Sequence, residues 1–179
     1  RSLVGSEMCI RDRFLSFTQP YSTGKSRCIS RLVHDISRVT MIVVPQNVLM
    51  KQMEEEFIEG EGRKPSFTGL RCAFLAGKWE GMKAEKQGEI LAADIVIASL
   101  DSLSQFRYPK ELLQRFGLVV FDEAHHMAAR TLCEVLPRLP TRRIAGFSAT
   151  PERNDGLVHL LFWILGPVSY THLRAHETP

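Results

Sequence analysis

Two carboxylates, Asp122 and Glu123, close the apolar run Leu118-Val119-Val120-Phe121, and Ala124-His125-His126 follow them. An unbroken run of β-branched and aromatic residues is the pattern of a strand buried on both faces of a parallel sheet. Such strands present their carboxyl ends to a ligand crevice. Acids in that position suit phosphate chemistry. Mg²⁺ takes oxygen ligands and keeps most of its waters, while hydrolysis needs a group that orients or deprotonates the attacking water. Asp122 is the candidate metal ligand and Glu123 the candidate base. The competing structural reading is a strand that ends in a solvated acidic turn.

A second cluster supplies what the acids lack. Gly24-Lys25-Ser26 opens a helix-compatible stretch that runs to about Ile36, and the apolar Met41-Ile42-Val43-Val44 follows. That is the tail of a phosphate loop, in which backbone N–H groups cradle phosphates, the lysine reaches the β and γ phosphates and the hydroxyl binds Mg²⁺. The cradle would comprise Ser22, Thr23, Gly24, Lys25 and Ser26, with Ser26 and Asp122 as the Mg²⁺ ligands and ATP as the nucleotide. A third segment, Gly146-Phe147-Ser148-Ala149-Thr150-Pro151, comes after the acids. Gly-Lys-Ser alone is a weak signal; the order of the three segments along the chain is the stronger one.

In that order the motifs resemble those of superfamily 2 helicases, and specifically the first RecA-like motor domain of the DEAH-box-like type. Lys25 and Ser26 match motif I. Val43-Val44-Pro45 with Leu49 and Gln52 resembles motif Ia, Asp122-Glu123-Ala124-His125 resembles motif II, and Ser148-Ala149-Thr150 resembles motif III. The string from Ser148 to Leu157, running on into Phe162-Trp163-Ile164-Leu165-Gly166-Pro167, looks most like DNA helicases of phages and large DNA viruses. The resemblance implies an ATP-dependent helicase or translocase on DNA, with RNA as the less favoured substrate. It also implies a second RecA-like domain that supplies an arginine finger, so that this chain alone would bind nucleotide weakly and turn over little ATP. His125 would link the nucleotide site to Ser148, Ala149 and Thr150. Nucleic acid would meet the loops after strands, where hydroxyls and backbone N–H groups reach phosphates without reading bases. These are Pro45, Gln46 and Asn47 in one loop and Ser99 and Ser102 in another, with Gln105, Arg107 and Tyr108 as weaker candidates. Asn47, Asp101 and Ser102 are equally read as helix N-caps.

The phosphate loop departs from the family pattern Pro-Thr-Gly-x-Gly-Lys-Thr, since this chain reads Pro20-Tyr21-Ser22-Thr23-Gly24-Lys25-Ser26. Ser22 stands where glycine lets the backbone wrap phosphates at positive φ. Its side chain either weakens nucleotide binding or reflects a sequencing error, and a binding module with a decayed motor site is the corresponding alternative function. An RNA helicase and the motor subunit of a restriction enzyme are further alternatives. A transition-metal site at His125 and His126 is disfavoured, because adjacent ligands on a turn point apart and no partner lies at the usual spacing.

Along the chain as a whole, apolar strands alternate with amphipathic helices, which predicts an α/β fold with a parallel sheet covered on both faces, a RecA-like nucleotide-hydrolase domain. Strands are expected over 40–44, 70–75, 94–99, 118–121 and 143–147, and helices over 25–36, 47–58, 82–91, 109–116 and 129–136. Residues 59–68 read as a surface loop, and residues 157–165 as an apolar helix.

The ends carry a different pattern. Residues 1–13 and 169–179 resemble translated sequencing adapters, which leaves 14–168 as the helicase ATP-binding domain, truncated and without its leading strand. With 179 residues and 44% hydrophobic content, one domain with a real core is possible and a second motor domain is not. The net charge of +3 is too mild to announce a nucleic-acid binder. Four scattered cysteines lack metal-ligand spacing and suit a reducing compartment. No stretch reaches the roughly 18 to 20 apolar residues needed to cross a bilayer. A cytoplasmic or virus-associated protein that is not secreted is the resulting expectation.

Overall fold

The computed structural model describes residues 14–18, 25–36, 38–47, 50, 70–124, 127, 129–141, 143–148 and 168–170. Seven strands form one sheet: β1 (Phe14–Thr18), β2 (Thr40–Val44), β3 (Cys72–Leu75), β4 (Ile95–Ser99), β5 (Leu118–Phe121), β6 (Ile144–Ser148) and β7 (Val168–Tyr170). Their order is β3-β4-β2-β5-β6-β1-β7, and every neighbouring pair is parallel. Parallel neighbours need crossovers, which the helices supply: α1 (Lys25–Ile36), α2 (Ala84–Ala92), α3 (Leu100–Gln105), α4 (Lys110–Gln114) and α5 (Ala129–Val135).

Alternation along each strand divides the core into two layers. Met41, Val43, Val96, Ala98, Val119 and Phe121 face one side, where they meet Ile90 of α2, Leu100 and Leu103 of α3, Leu112 and Leu113 of α4, and Leu132 and Val135 of α5. Ile42, Val44, Ile95, Ile97, Leu118 and Val120 face the other, against Ile29 and Val33 of α1 and Met50. Because both faces are covered, β2, β4 and β5 are buried at every position, and this explains why they carry no charged residue and only Thr40 and Ser99 at their ends are polar. Phe121 is fully buried; truncating it to alanine would cost about 3–5 kcal/mol. The spacing of α1 is that of a one-sided helix: Ile29 and Val33 lie one turn apart on the sheet side, while Arg31 and Asp35 pair at 2.9 Å in solvent.

The expected alternation is present, and the strand over 40–44, the strand over 118–121 and the helix over 25–36 have the expected bounds. Other boundaries shift by one or two residues. Two expectations are corrected. A leading strand is present as β1, which runs between β6 and β7; its five residues adjoin the charged leader and carry too short a pattern to stand out. Residues 100–105 are helical rather than a plain loop, since Ser99 Oγ accepts the Ser102 N–H and caps α3 directly at the end of β4. The expected loop over 59–68 and the helix over 157–165 lie outside the described residues, as does almost all of the helix over 47–58.

Candidate nucleotide site and the adjoining loops

All seven strands point the same way, so the residues after each strand gather along one edge of the sheet. β5 is central, and Asp122 and Glu123 leave its carboxyl end. The Asp122 N–H donates to Val43 O at 2.9 Å, which extends the β2–β5 ladder by one bond and fixes where the acids emerge. Glu123 then turns the chain with φ of 49°, in the left-handed region. A residue with a Cβ meets a steric cost there of about 1–2 kcal/mol. Asp122 Oδ1 and Glu123 Oε2 are both shielded from solvent. A shielded carboxylate oxygen at a strand end is poorly explained by a solvated acidic turn.

β6 lies between β5 and β1. Its last residue, Ser148, is in register with Thr18, the last residue of β1, and Phe121 is in register with Gly146. The end of β1 is therefore two strand spacings from the acids, about 10 Å. Lys25 and Ser26 form the first turn of α1, the helix that follows β1. Backbone placement thus brings Lys25, Ser26, Asp122, Glu123 and Ser148 to one end of three adjacent strands. Ser22, Thr23, Gly24, His125, Ala149 and Thr150 lie outside the described residues. No group of three or more His, Cys, Asp or Glu suited to a metal occurs among the described residues. A pair of hard carboxylates is nonetheless a fitting donor set for Mg²⁺, which takes one or two protein carboxylates and completes its shell with phosphate and water.

The other half of the edge, after β2, β4 and β3, is joined by side-chain hydrogen bonds. Pro45 is buried, whereas Gln46 and Asn47 are exposed. Asn47 Oδ1 accepts from Ser99 Oγ at 2.5 Å and from Ser102 Oγ at 3.2 Å. Ser99 and Ser102 are buried, at 0% and 3% exposure, and their hydroxyl oxygens lie 3.0 Å apart. The Tyr108 hydroxyl donates to Gly77 O at 2.9 Å, in the loop after β3, and its oxygen is an alternative acceptor to Asn47 Oδ1 for the single Ser102 hydroxyl proton. Burial pushes the Tyr108 phenol up to about 12 and outweighs the opposing effect of Ser102, so it stays protonated. Gly77 has φ of 81°, which glycine adopts without a Cβ penalty. These contacts tie three loops together across 52 and 55 residues of sequence on the Asn47 side and 31 on the Tyr108 side. Spacing along the chain gives no signal for partners so far apart. Of the weaker candidates, Gln105, the last residue of α3, and Arg107, just beyond it, are exposed.

The wall behind this edge is equally determined. Arg138 Nη1 donates to Leu103 O at 3.0 Å and to Ser104 O, satisfying carbonyls at the end of α3. At the opposite edge of the sheet, Asp94 accepts from the Arg71 N–H at 3.0 Å and from its Nε at 3.3 Å, fastening the starts of β3 and β4. The Arg71 backbone bond first, and its side chain second, hold the Asp94 carboxyl below its ordinary range.

Comparison with known proteins agrees with this arrangement. The translocase named DNA 3'-5' translocase XPB2, from Sulfurisphaera tokodaii, is 26% identical over 151 residues, covering 84% of this chain and 30% of the relative. An Acanthamoeba polyphaga mimivirus protein named as an ATP-dependent RNA helicase, L396, is 33% identical over 73 residues, covering 41% of this chain and 14% of the relative. The chain thus spans less than a third of the length of these two relatives. Among solved structures, the UvsW helicase from Bacteriophage T4 superposes with a TM-score of 0.69 at 18% identity, over 89% of this chain and 55% of that one, which establishes a shared fold. The family described as type III restriction enzyme, res subunit, matches residues 11–153, and the chain belongs to that family as a helicase-like domain homologous to ATP-dependent helicases.

Proposed function

We propose that this domain is the first motor half of an ATP-dependent DNA helicase or translocase. The observation that carries the reading is the pair Asp122–Glu123 at the end of the central strand, with a shielded oxygen on each and Glu123 in a strained backbone. Strain held at one acidic residue of a strand end is expected where function fixes the side chain's direction. Lys25 and Ser26, two strands away at the start of α1, are the groups that would grip the β and γ phosphates and the metal.

Mg²⁺ held by Asp122 and Ser26 would neutralise charge on the phosphates when bound. Glu123 would orient the water for in-line attack on the γ-phosphate, and Lys25 would stabilise the charge that spreads over its oxygens. Ser148, Ala149, Thr150 and His125 would pass the change at the γ-phosphate to a second RecA-like domain, which would also contribute an arginine. The boundaries of the proposed domain are residues 14 and 168, with adapter-like residues outside them.

DNA is favoured over RNA because the segment after Thr150 resembles that of DNA helicases; RNA remains the alternative. Within the described residues no helix is long and apolar enough to cross a membrane. The test of the nucleotide site is Mg²⁺-dependent binding of a fluorescent ATP analogue. Lys25→Ala is expected to weaken it at least about tenfold, the scale of one charge-assisted contact; equal affinity would contradict the reading. Ser22→Gly is expected to tighten binding, and no gain would reject damage to the loop as the cause of weak affinity.

A further inference from the structure

On the helical layer that holds Arg138, the surface sinks into a cleft of about 310 Å³. One wall is the connection between α3 and α4, and the other is the end of α5 with the connection that follows it. Leu103, Leu113, Val135 and Leu139, all buried, give the cleft an apolar floor. Three cations, Arg107, Lys110 and Arg138, line it and no acid does. Over the whole chain acids nearly match cations, 20 against 23, so this is a local excess of positive charge. Arg107 and Lys110 are exposed, and neither forms an ion pair among the described residues. Arg138 is held in place by its bonds to Leu103 O and Ser104 O. Both come from Nη1, which leaves three N–H groups on Nε and Nη2 without an acceptor among the described residues. That edge of a guanidinium is the fork that takes a carboxylate through two parallel bonds. Pro137 and Pro140 fix φ along the same wall, which constrains it before anything binds.

We propose that this cleft docks an acidic peptide segment of a partner protein, with a large apolar side chain on the floor and flanking carboxylates against Arg107, Lys110 and Arg138. Each half of the cleft calls for a matching half of the ligand. The apolar floor suits a side chain such as leucine or phenylalanine, whose removal from water supplies affinity. The unpaired cations around it suit carboxylates, which select the partner by charge. A nucleic-acid strand fits less well. Its phosphates would meet the cations, but only a base could fill the cleft, and the polar edge of a base would be left unpaired against Leu113, Val135 and Leu139. None of Lys25, Ser26, Asp122 and Glu123 lines the cleft, so docking here goes beyond the motor reading and does not depend on it.

The test is the fluorescence anisotropy of a fluorescein-labelled peptide, Asp-Glu-Asp-Leu-Phe-Asp-Glu-Asp, titrated at low salt with the full 179-residue chain and with the double variant Arg107→Glu, Lys110→Glu. Both side chains are exposed and unpaired, so the double variant should keep its melting temperature and lose affinity about tenfold or more. A second peptide, with serine in place of leucine and phenylalanine, keeps the charge and loses the anchor. It should bind about tenfold more weakly or worse. Unlabelled oligothymidylate should fail to displace the first peptide. If the double variant unfolds, Lys110→Gln removes one charge without adding another, and a loss of several-fold is expected. Absence of binding by the unaltered chain overturns the proposal, as does undiminished affinity in the variant. Equal affinity for the two peptides also overturns it, because charge alone then accounts for binding. Displacement by oligothymidylate assigns the cleft to nucleic acid and overturns it too. Each of these results leaves ATP binding and hydrolysis untouched, so failure here is distinct from failure of the motor reading.

Discussion

Replacing Glu123 by glycine should make this protein more stable than replacing it by alanine, although both remove the residue assigned to position the attacking water. Glu123 lies at φ of 49°. There the Cβ of an L-residue costs about 1–2 kcal/mol, and glycine is free of that cost. Glycine gives back part of the gain, because it loses about 0.5–1 kcal/mol more chain entropy on folding than alanine does. The net expectation is that Glu123→Gly exceeds Glu123→Ala by about 0.5–1 kcal/mol, or about 1–4 °C in Tm for a chain of this size. Alanine is the proper comparator, since both variants lose the carboxylate and its contacts equally, leaving only the backbone difference. Thermal and urea unfolding of the two variants side by side would measure it. A glycine variant equal to or less stable than the alanine variant would refute the assignment of strain to this residue. If the difference is found, stability has been given up at a position where neither packing nor folding requires it, as expected of a functional strand end.

Two further outcomes concern titrating side chains. Tyr108 is pushed up to about 12 by burial, so its neutral form is favoured by the folded state; the stability it contributes is present below its ordinary value of 10.0 and lost as pH rises from there toward about 12. Urea midpoints should fall more steeply across that window for the unaltered protein than for Tyr108→Phe, and parallel curves would contradict the burial of this phenol. Asp94 is held below its ordinary value by Arg71, so its contribution is present above the usual carboxylate range and lost as pH falls through its folded value. Its side chain is 37% exposed, and after discounting for solvent screening the loss on Asp94→Asn near neutral pH should stay under about 1 kcal/mol and vanish in acid. A deficit that persists undiminished in acid would assign the effect to something other than the charge.

How much of this was legible in the sequence follows from where the information resides. Strands β2 and β5 are buried on both faces, so their residues run Thr40-Met-Ile-Val-Val44 and Leu118-Val-Val-Phe121 without a charged interruption, and their bounds were readable. Helix α1 was readable because Ile29 and Val33 repeat at a turn's spacing. Helix α3 was not, since it follows β4 without a break and has only six residues, too few for periodicity to register. Strand β1 was missed for a similar reason of length. At the candidate site, Asp122 and Glu123 stand out by the contrast between an apolar run and two acids. The left-handed turn at Glu123 carries no compositional mark, because glutamate is not a residue associated with that conformation. The bond between Asn47 and Ser99 joins positions 52 residues apart and exists only because β2 and β4 are neighbours in the sheet. Chain order puts β3 between them, and nothing in their local sequence reveals the adjacency.

The central claim is that Glu123 works on the γ-phosphate of ATP. Steady-state ATP hydrolysis with Mg²⁺ and saturating DNA, in the full-length protein, should fall about 100-fold or more in Glu123→Gln while ATP affinity is retained, the scale of a lost general base. Turnover equal to that of the unaltered protein would contradict the account.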